Sequence, residues 1–390
     1  MNFDLTETQQ EASQRAHMFA RTYLDGIAYD LDRCGVLPKA TLDALAIHDF
    51  FGLLVPKASG GVGAGFINHI LVIEAFSRSC PAIASILNNH ALAVHAIAQW
   101  GSDAQKQHYL PSLATGRRLG ALAIHEHGPS LGIGPDALLA SCRDDGFTLT
   151  GTKAFVRNAG AADLYVAFAT LEPVAKNPSL TAFLIDAHTP GLTIGPRLDT
   201  MGLKGCPVAH LIFETVAVSR DALLGIESGG SAIVDRLLSL GSVAEAAQSV
   251  GIGRAAVKHA ADFAEKRVQF GQPIATLQAI QTLLAEAATD CHLAWLGIQR
   301  ASQLVEDGGA FEVDAAMVKT FVGRFGAKML IDAIQVEGGL GISESKPFGV
   351  DGTMPLARLF RDMAGTLLLD APGDFPDTLI AKSITCTGKP

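Results

Sequence analysis

The sequence has no CxxC pair, and none of its six cysteines (Cys34, Cys80, Cys142, Cys206, Cys291 and Cys386) has histidine partners at zinc spacing. Buried, reduced thiols are the expectation. Basic charge is scarce: 30 Lys and Arg stand against 39 Asp and Glu, and the net charge of −9 argues against a general nucleic-acid binder. The first ten residues, MNFDLTETQQ, lack both a basic n-region and an apolar h-region, so no secretory signal is expected. No uninterrupted apolar run approaches the length of a bilayer span. These absences predict a soluble, cytoplasmic protein with neither nucleic acid nor membrane among its partners. The triplet His125-Glu126-His127 invites a metal, but an extended segment would offer two ligands on one face and no third. A zincin would need HExxH on a helix. No metal is expected.

What the chain does have is length and apolar residues. At 390 residues and 48% hydrophobic it exceeds one simple core, which implies two or three domains. Residues 1–119 read as a helical domain, with apolar positions at helical spacing in ATLDALAIHDFFGLL and HILVIEAFSRSCPAIASILNNHALAVHAIAQW. The SGGVGAG break at 59–65 reads as a surface turn. Over 120–229 the texture becomes β: FTLTGTKAFV, DLYVAFATL, LTAFLIDA and HLIFETVAV are short runs bounded by Gly, Pro and Asp, which predict a compact sheet or small barrel. Long Ala/Leu/Gln/Glu-rich helices fill 230–390, broken near RVQFGQP, and a last helix candidate starts near Pro355. The expected class is therefore α+β and multidomain: helix bundle, β domain, helix bundle.

Two segments imitate a dinucleotide fingerprint, GIGPDA (132–137) and GIGRAA (251–256). That fingerprint needs a strand before the first glycine and a helix after it. Gly251 lies inside a helical pattern, and Gly134 is followed by proline. Neither predicts a Rossmann domain.

The local signatures, read in order, resemble the acyl-CoA dehydrogenase family over nearly the whole chain. GLLVPKASGGVGAG is similar to the loop after its early helices, and WGSDAQKQHYLPSLATGRRLGALAIHE to the passage into its β domain. MGLKGCPVAHLIFETVAVSRDALLG matches the exit from that domain; RVQFGQPIATLQAIQ and QVEGGLGI match two flavin-contacting signatures of a C-terminal four-helix bundle. The resemblance implies bound FAD and a homo-oligomer, dimer or tetramer, in which neighbouring subunits complete each other's flavin site. On the matched positions, Arg267 would meet a pyrophosphate with a planar cation, Phe270 would offer an apolar face and Gln278 an amide. Gln335, Gly338 and Gly339 would form the loop under the partner's FAD diphosphate, glycine letting backbone N–H groups approach phosphate. Ile124 and His125 stand where the family wraps the isoalloxazine, and Phe155 and Arg157 where it has a Trp and a small hydroxyl residue against the ring. Arg157 either points at the ring, where its charge would favour the anionic reduced flavin, or turns away to solvent or an acid.

The chemistry implied is removal of a weakly acidic proton beside a thioester carbonyl while hydride leaves the next carbon for flavin N5. The base is a carboxylate in an apolar cleft. In most of the family it is the glutamate of Y-E-G-T, nine residues after the arginine of an R-D pair. Here Arg361-Asp362 is that pair and Asp370 stands nine residues on, within Leu369-Asp370-Ala371-Pro372. Aspartate is shorter by one bond, about 1.5 Å. Another branch carries its glutamate at the position of Gly241; Glu245, about one helical turn further on, is the alternative base, although a surface helix glutamate is the plainer reading. SESKPFGVDGTMP also inserts roughly eight extra residues close to Asp370. The expected activity is FAD-dependent dehydrogenation of a short or medium acyl thioester, on CoA or a carrier protein, in a biosynthetic setting and with an atypical double-bond position in view. Electrons would pass to an electron-transfer flavoprotein or to oxygen. The alternatives are a flavin oxidase of the same fold, like nitroalkane oxidase with its aspartate, or a catalytically idle thioester- or partner-binding homologue. Arg117-Arg118 is the candidate contact for an acidic carrier protein.

Overall fold

The computed structural model describes residues 4–127, 137–171, 179–344, 354–368 and 375–385. Six helices come first: α1 (Glu7–Phe19), α2 (Ala28–Cys34), α3 (Lys39–Ile47), α4 (Phe66–Ser79), α5 (Pro81–Trp100) and α6 (Asp103–Ala114). A capping box starts α1: the Thr6 hydroxyl accepts from Gln9 N–H, and the Gln9 side chain accepts from Thr6 N–H. Before α4 the predicted turn is present, with Gly60, Gly63 and Gly65 at φ 84°, 57° and 86°, values that a side chain would resist. Helices α4 and α5 are buried almost all round, and Phe19, Phe50 and Phe76 pack ring against ring beneath them.

The chain then enters a sheet: β1 (Gly120–Ala123), β2 (Leu139–Arg143), β3 (Gly146–Arg157), β4 (Leu164–Leu171), β5 (Leu180–Asp186), β6 (Leu192–Ile194), β7 (Val208–Ser219) and β8 (Leu223–Leu224). Its order is β6-β7-β3-β2-β4-β5-β8, with β1 parallel to β4. The long β3–β7 ladder runs from Gly146↔Ser219 to Arg157↔Val208 and slips register between Lys153 and Val156. Such an irregularity re-aims side chains. Here it turns out Phe155.

The spine of the molecule is α7 (Gly230–Lys266), 37 residues and so about 55 Å long. Every residue from Leu237 to Gly253 is buried, so this stretch is enclosed on all faces, by α4, α5, α8, α9 and α10. A Cβ on Gly251 would lie 2.4 Å from Glu74 O, which explains the glycine as a helix crossing and not as part of a dinucleotide loop. Glu74 binds Arg78 at 2.6 Å and Arg254 at 2.7 Å, locking α4 to α7. A hairpin of β9 (Val268–Gln269) and β10 (Gln272–Pro273) follows, then α8 (Gln278–Glu306), α9 (Glu312–Glu337), α10 (Leu356–Leu368) and α11 (Phe375–Thr385). Helix α10 begins directly after Pro355 and packs on α7 and α9. Among the described residues no helix is long and apolar enough to cross a membrane, and no cluster of His, Cys, Asp or Glu could hold a metal.

Candidate cofactor and substrate cleft

The cleft wall is built on two strands tied from behind. Lys153, fully buried on β3, donates to Ile124 O at 2.9 Å and to Glu126 Oε1 at 2.6 Å. The same carboxylate oxygen accepts from Leu138 N–H, and His125 O accepts from Ala154 N–H. Glu126 thus ties the segment after β1 to β3 and to Leu138. From the helical side, Asn89 on α5 donates to Arg157 O at 2.8 Å and accepts from Leu122 N–H. A single amide thus fixes both strands against α5.

These contacts bring Ile124, His125, Phe155 and Arg157 together in the lining of a narrow cleft of about 30 Å³, to which Leu237, Leu238 and Gly241 of α7 also contribute. Four of the residues expected at a flavin ring therefore share one cavity. Gly241, the position of the alternative family glutamate, lines it too. Burial pushes the His125 imidazole down to about 4, helped by the nearby Arg157 and Lys153 cations and opposed by Glu245. At neutral pH His125 is an uncharged hydrogen-bonding group in the wall.

Arg157 takes the second of its two expected courses and pairs with an acid. It lines the cleft, and its Nη2 donates to Glu245 Oε1 at 2.8 Å. Glu245 is buried, not on the surface, and its other oxygen accepts from Lys319 Nζ of α9. Lys319 also donates to Thr366 O in the last turn of α10, at 3.0 Å. A carboxylate that accepts from a cation through each oxygen is held in one orientation.

Helix α10 is anchored along its length. Arg358 reaches Ser79 O at 3.1 Å, and Arg361 forks onto Asp32 at 2.8 and 2.7 Å. Asp362 accepts from Leu203 N–H at 2.6 Å, and burial raises its carboxyl against the pull of Arg358. The Arg361-Asp362 pair therefore docks the helix onto α2 and the 199–206 loop. Asp370 itself lies outside the described residues, as do most of GIGPDA and of the insertion.

The remaining flavin candidates lie on the surface. Phe270 is 91% exposed and has φ 53°; with Gly271 at φ 80° it makes a two-residue hairpin turn. Phe155 has φ 51° and is 48% exposed. Left-handed φ at a phenylalanine is strained, and strain of this kind gathers at functional sites. Arg267 and Gln278 flank the Phe270 turn, both exposed; Gln335, Gly338 and Gly339 form an exposed corner at the end of α9. Neither group shares the cleft of Ile124 and Arg157. Arg118 pairs with Asp186 and lies over Tyr109, which leaves Arg117 as the exposed member of that pair.

Sequence reasoning passed over Asn89, Lys153 and Lys319. Two asparagines and a histidine inside the apolar run ILNNHALAV were a usable signal, since buried polar groups need partners. A larger cavity of about 900 Å³ lies elsewhere, between α1, α2, α7 and α10. Its charges are mostly matched, as in Arg361 with Asp32 and Lys258 with Asp262. It holds none of the expected site residues.

Three domain models of the acyl-CoA dehydrogenase family match the chain: the N-terminal domain over residues 6–117, the middle domain over 133–216 and the C-terminal domain over 228–382. An acyl-CoA dehydrogenase of Bacillus subtilis (strain 168) is 33% identical over 378 residues, covering 96% of this chain and 98% of its own. The butyryl-CoA dehydrogenase structure from Megasphaera elsdenii superposes with a TM-score of 0.91 at 30% identity, covering 98% of this chain and 99% of its own. The structure of PigA with FAD and proline superposes with a TM-score of 0.90 at 26% identity, covering 98% and 99%.

Proposed function

The chain belongs to the acyl-CoA dehydrogenase family, and from that premise we propose that it dehydrogenates a short or medium saturated acyl thioester with Asp370 as the base. The family consists of flavin-dependent oxidoreductases that act on acyl thioesters, with FAD as cofactor. The residues present suit that cofactor. Phe155 offers an aromatic wall, His125 an uncharged hydrogen-bonding group and Arg157 a cation, all lining one cleft. Phe270 and Arg267 stand ready on the surface for an apolar face and a pyrophosphate, with Gln278, Gln335, Gly338 and Gly339 as backbone and amide donors. Val268, Leu293 and Ile331 are exposed on the same C-terminal part, which favours a second copy of the chain over solvent as their neighbour.

Bound FAD supplies the hydride acceptor. The chain's own part is to remove the proton beside the thioester carbonyl, to polarise that carbonyl and to keep water out. The proton passes to the Asp370 carboxylate as the double bond forms. Leu237, Leu238, Leu122 and Ile124 give the cleft apolar walls, which suit an acyl group over a charged one. Aspartate for glutamate, with an insertion beside it, favours an unusual carrier or double-bond position and, with them, a biosynthetic role. The observation that carries this reading is the cleft that unites Ile124, His125, Phe155 and Arg157 with the α7 face.

The test is anaerobic bleaching of the bound flavin by a panel of acyl-CoA and acyl-carrier-protein thioesters, with product masses and double-bond positions read out. Bleaching by a small saturated acyl group is the expected result. A flavin that no thioester bleaches would sink the dehydrogenase reading and favour the idle homologue. Peroxide formed from oxygen with no other acceptor would identify an oxidase.

A further inference from the structure

Resting on the dehydrogenase reading, the buried cluster of Arg157, Glu245 and Lys319 assigns a role to a carboxylate that is not the base. The three groups come from β3, α7 and α9, and all are buried. Glu245 accepts from Arg157 at 2.8 Å through one oxygen and from Lys319 through the other. Arg157 lines the cleft. Lys319 donates to Thr366 O, in the last turn of α10 (Leu356–Leu368). An ammonium there also suits the negative end of the helix dipole. Asp370 follows Thr366 by four residues.

We propose that Glu245 is a positioning residue: it fixes the Arg157 guanidinium in the cleft wall and, through Lys319, fixes the point at which the chain leaves α10 for Asp370. One buried carboxylate then sets both the cation offered to the cofactor and the start of the segment that carries the base. The arrangement has a physical reason to be rigid. Two buried cations without an acid between them would repel and would be poorly solvated. Each oxygen of Glu245 has its own partner, so moving either cation disturbs the other. Arginine suits the cleft end because its planar fork keeps its orientation while one nitrogen is engaged, and lysine suits the helix end as a compact point charge.

The test uses the full-length, FAD-loaded protein and reads two quantities. One is the affinity of the bound flavin for sulfite, an anion whose capture reports positive charge near the ring. The other is the rate of anaerobic bleaching by an active thioester. E245Q is expected to keep FAD and lose bleaching rate by about tenfold or more, with E245D restoring part of it. R157Q/E245Q is expected to bind sulfite about tenfold more weakly than E245Q, because only then has the cation left the wall. K319M keeps the Arg157–Glu245 pair but frees Thr366 O. Its bleaching rate should fall about tenfold with sulfite affinity within about twofold of the parent. If E245Q does not accumulate, K319M decides alone. Bleaching within about twofold of the parent in E245Q or in K319M overturns the proposal. Equal sulfite affinity in E245Q and R157Q/E245Q overturns its cofactor half. A parent flavin that no thioester bleaches overturns the dehydrogenase reading instead, and the sulfite comparison still decides whether Arg157 faces the ring.

Discussion

Lys153 Nζ and Glu126 Oε1 lie 2.6 Å apart with both side chains sealed from water, joining β3 to the segment after β1 that forms the cleft wall. Breaking such a pair from one side leaves a buried charge uncompensated. K153M is expected to cost about 3–5 kcal/mol, and K153M/E126Q to recover part of that. Thermal melts of the three proteins check it. A K153M protein that melts within a degree or two of the parent would mean that Glu126 finds water or another donor.

Phe270 predicts opposite signs for stability and for cofactor retention. Its left-handed φ of 53° precedes Gly271 in a turn that asparagine-glycine fills without strain. Phe270→Asn should therefore stabilise the apoprotein by about 0.5–1 kcal/mol while weakening FAD retention. Arg267→Ala should weaken retention with little change in apoprotein stability, because Arg267 is exposed. Apoprotein melts and flavin absorbance after gel filtration separate the two effects. Unchanged flavin occupancy in both variants would count against these positions as cofactor contacts.

What the sequence could and could not reveal follows from how far each contact reaches. Helix and strand texture is local, so the layout of two helical parts around a sheet was legible, as was the helix start after Pro355. The Arg267-to-Gln278 and Gln335-to-Gly339 segments were legible as candidates because their residues are close in sequence. Ion pairing across 88 residues, as between Arg157 and Glu245, leaves no periodic trace. The surface reading of Glu245 failed because SLGSVAEAAQSVGIG is enclosed on every face. Small residues all round a helix were the available sign of that burial. Phe155 was legible only as an aromatic candidate; its turned-out backbone, which depends on the register slip against β7, was not.

Acid should destabilise the helical core through histidines that burial keeps without charge, His69 and His90 together with His95 on α5. His69 and His90 are both held down to about 4 by burial, against 6.5 in water. Gly120 N–H donates to His90 Nδ1, and Asn88 Oδ1 lies 3.1 Å from His69 Nε2. Between those values the unfolded chain binds protons that the folded chain refuses. Their contribution is complete above pH 6.5 and is lost as the pH falls toward 4, on the order of 3 kcal/mol for each histidine. Denaturant midpoints measured from pH 7 to pH 4 check the slope. His90→Gln keeps an acceptor for Gly120 N–H and should flatten it; an unchanged slope would place the protons elsewhere.

The base assignment yields a loss and a rescue. Asp370→Asn should retain FAD and lose thioester bleaching by about 10²–10⁴-fold, the usual worth of a positioned base. Full activity in that variant would sink the assignment. Gly241 supplies the converse test, because it faces the cleft from α7 and a Cβ there would meet only Leu92 Cδ1, at an ordinary 3.5 Å. In Gly241→Glu the better helix propensity of glutamate, worth up to about 1 kcal/mol in α7, is opposed by the cost of burying its carboxyl. Placed in the Asp370→Asn background, the substitution puts a carboxylate into the cleft from α7. Desolvation there raises its pKa toward working pH, as a base requires. Partial return of bleaching, with a pH profile displaced from that of the parent, is the expected result. A double variant as inactive as Asp370→Asn, with FAD and fold intact, would mean that a carboxylate from α7 cannot reach the acidic proton of the substrate bound here.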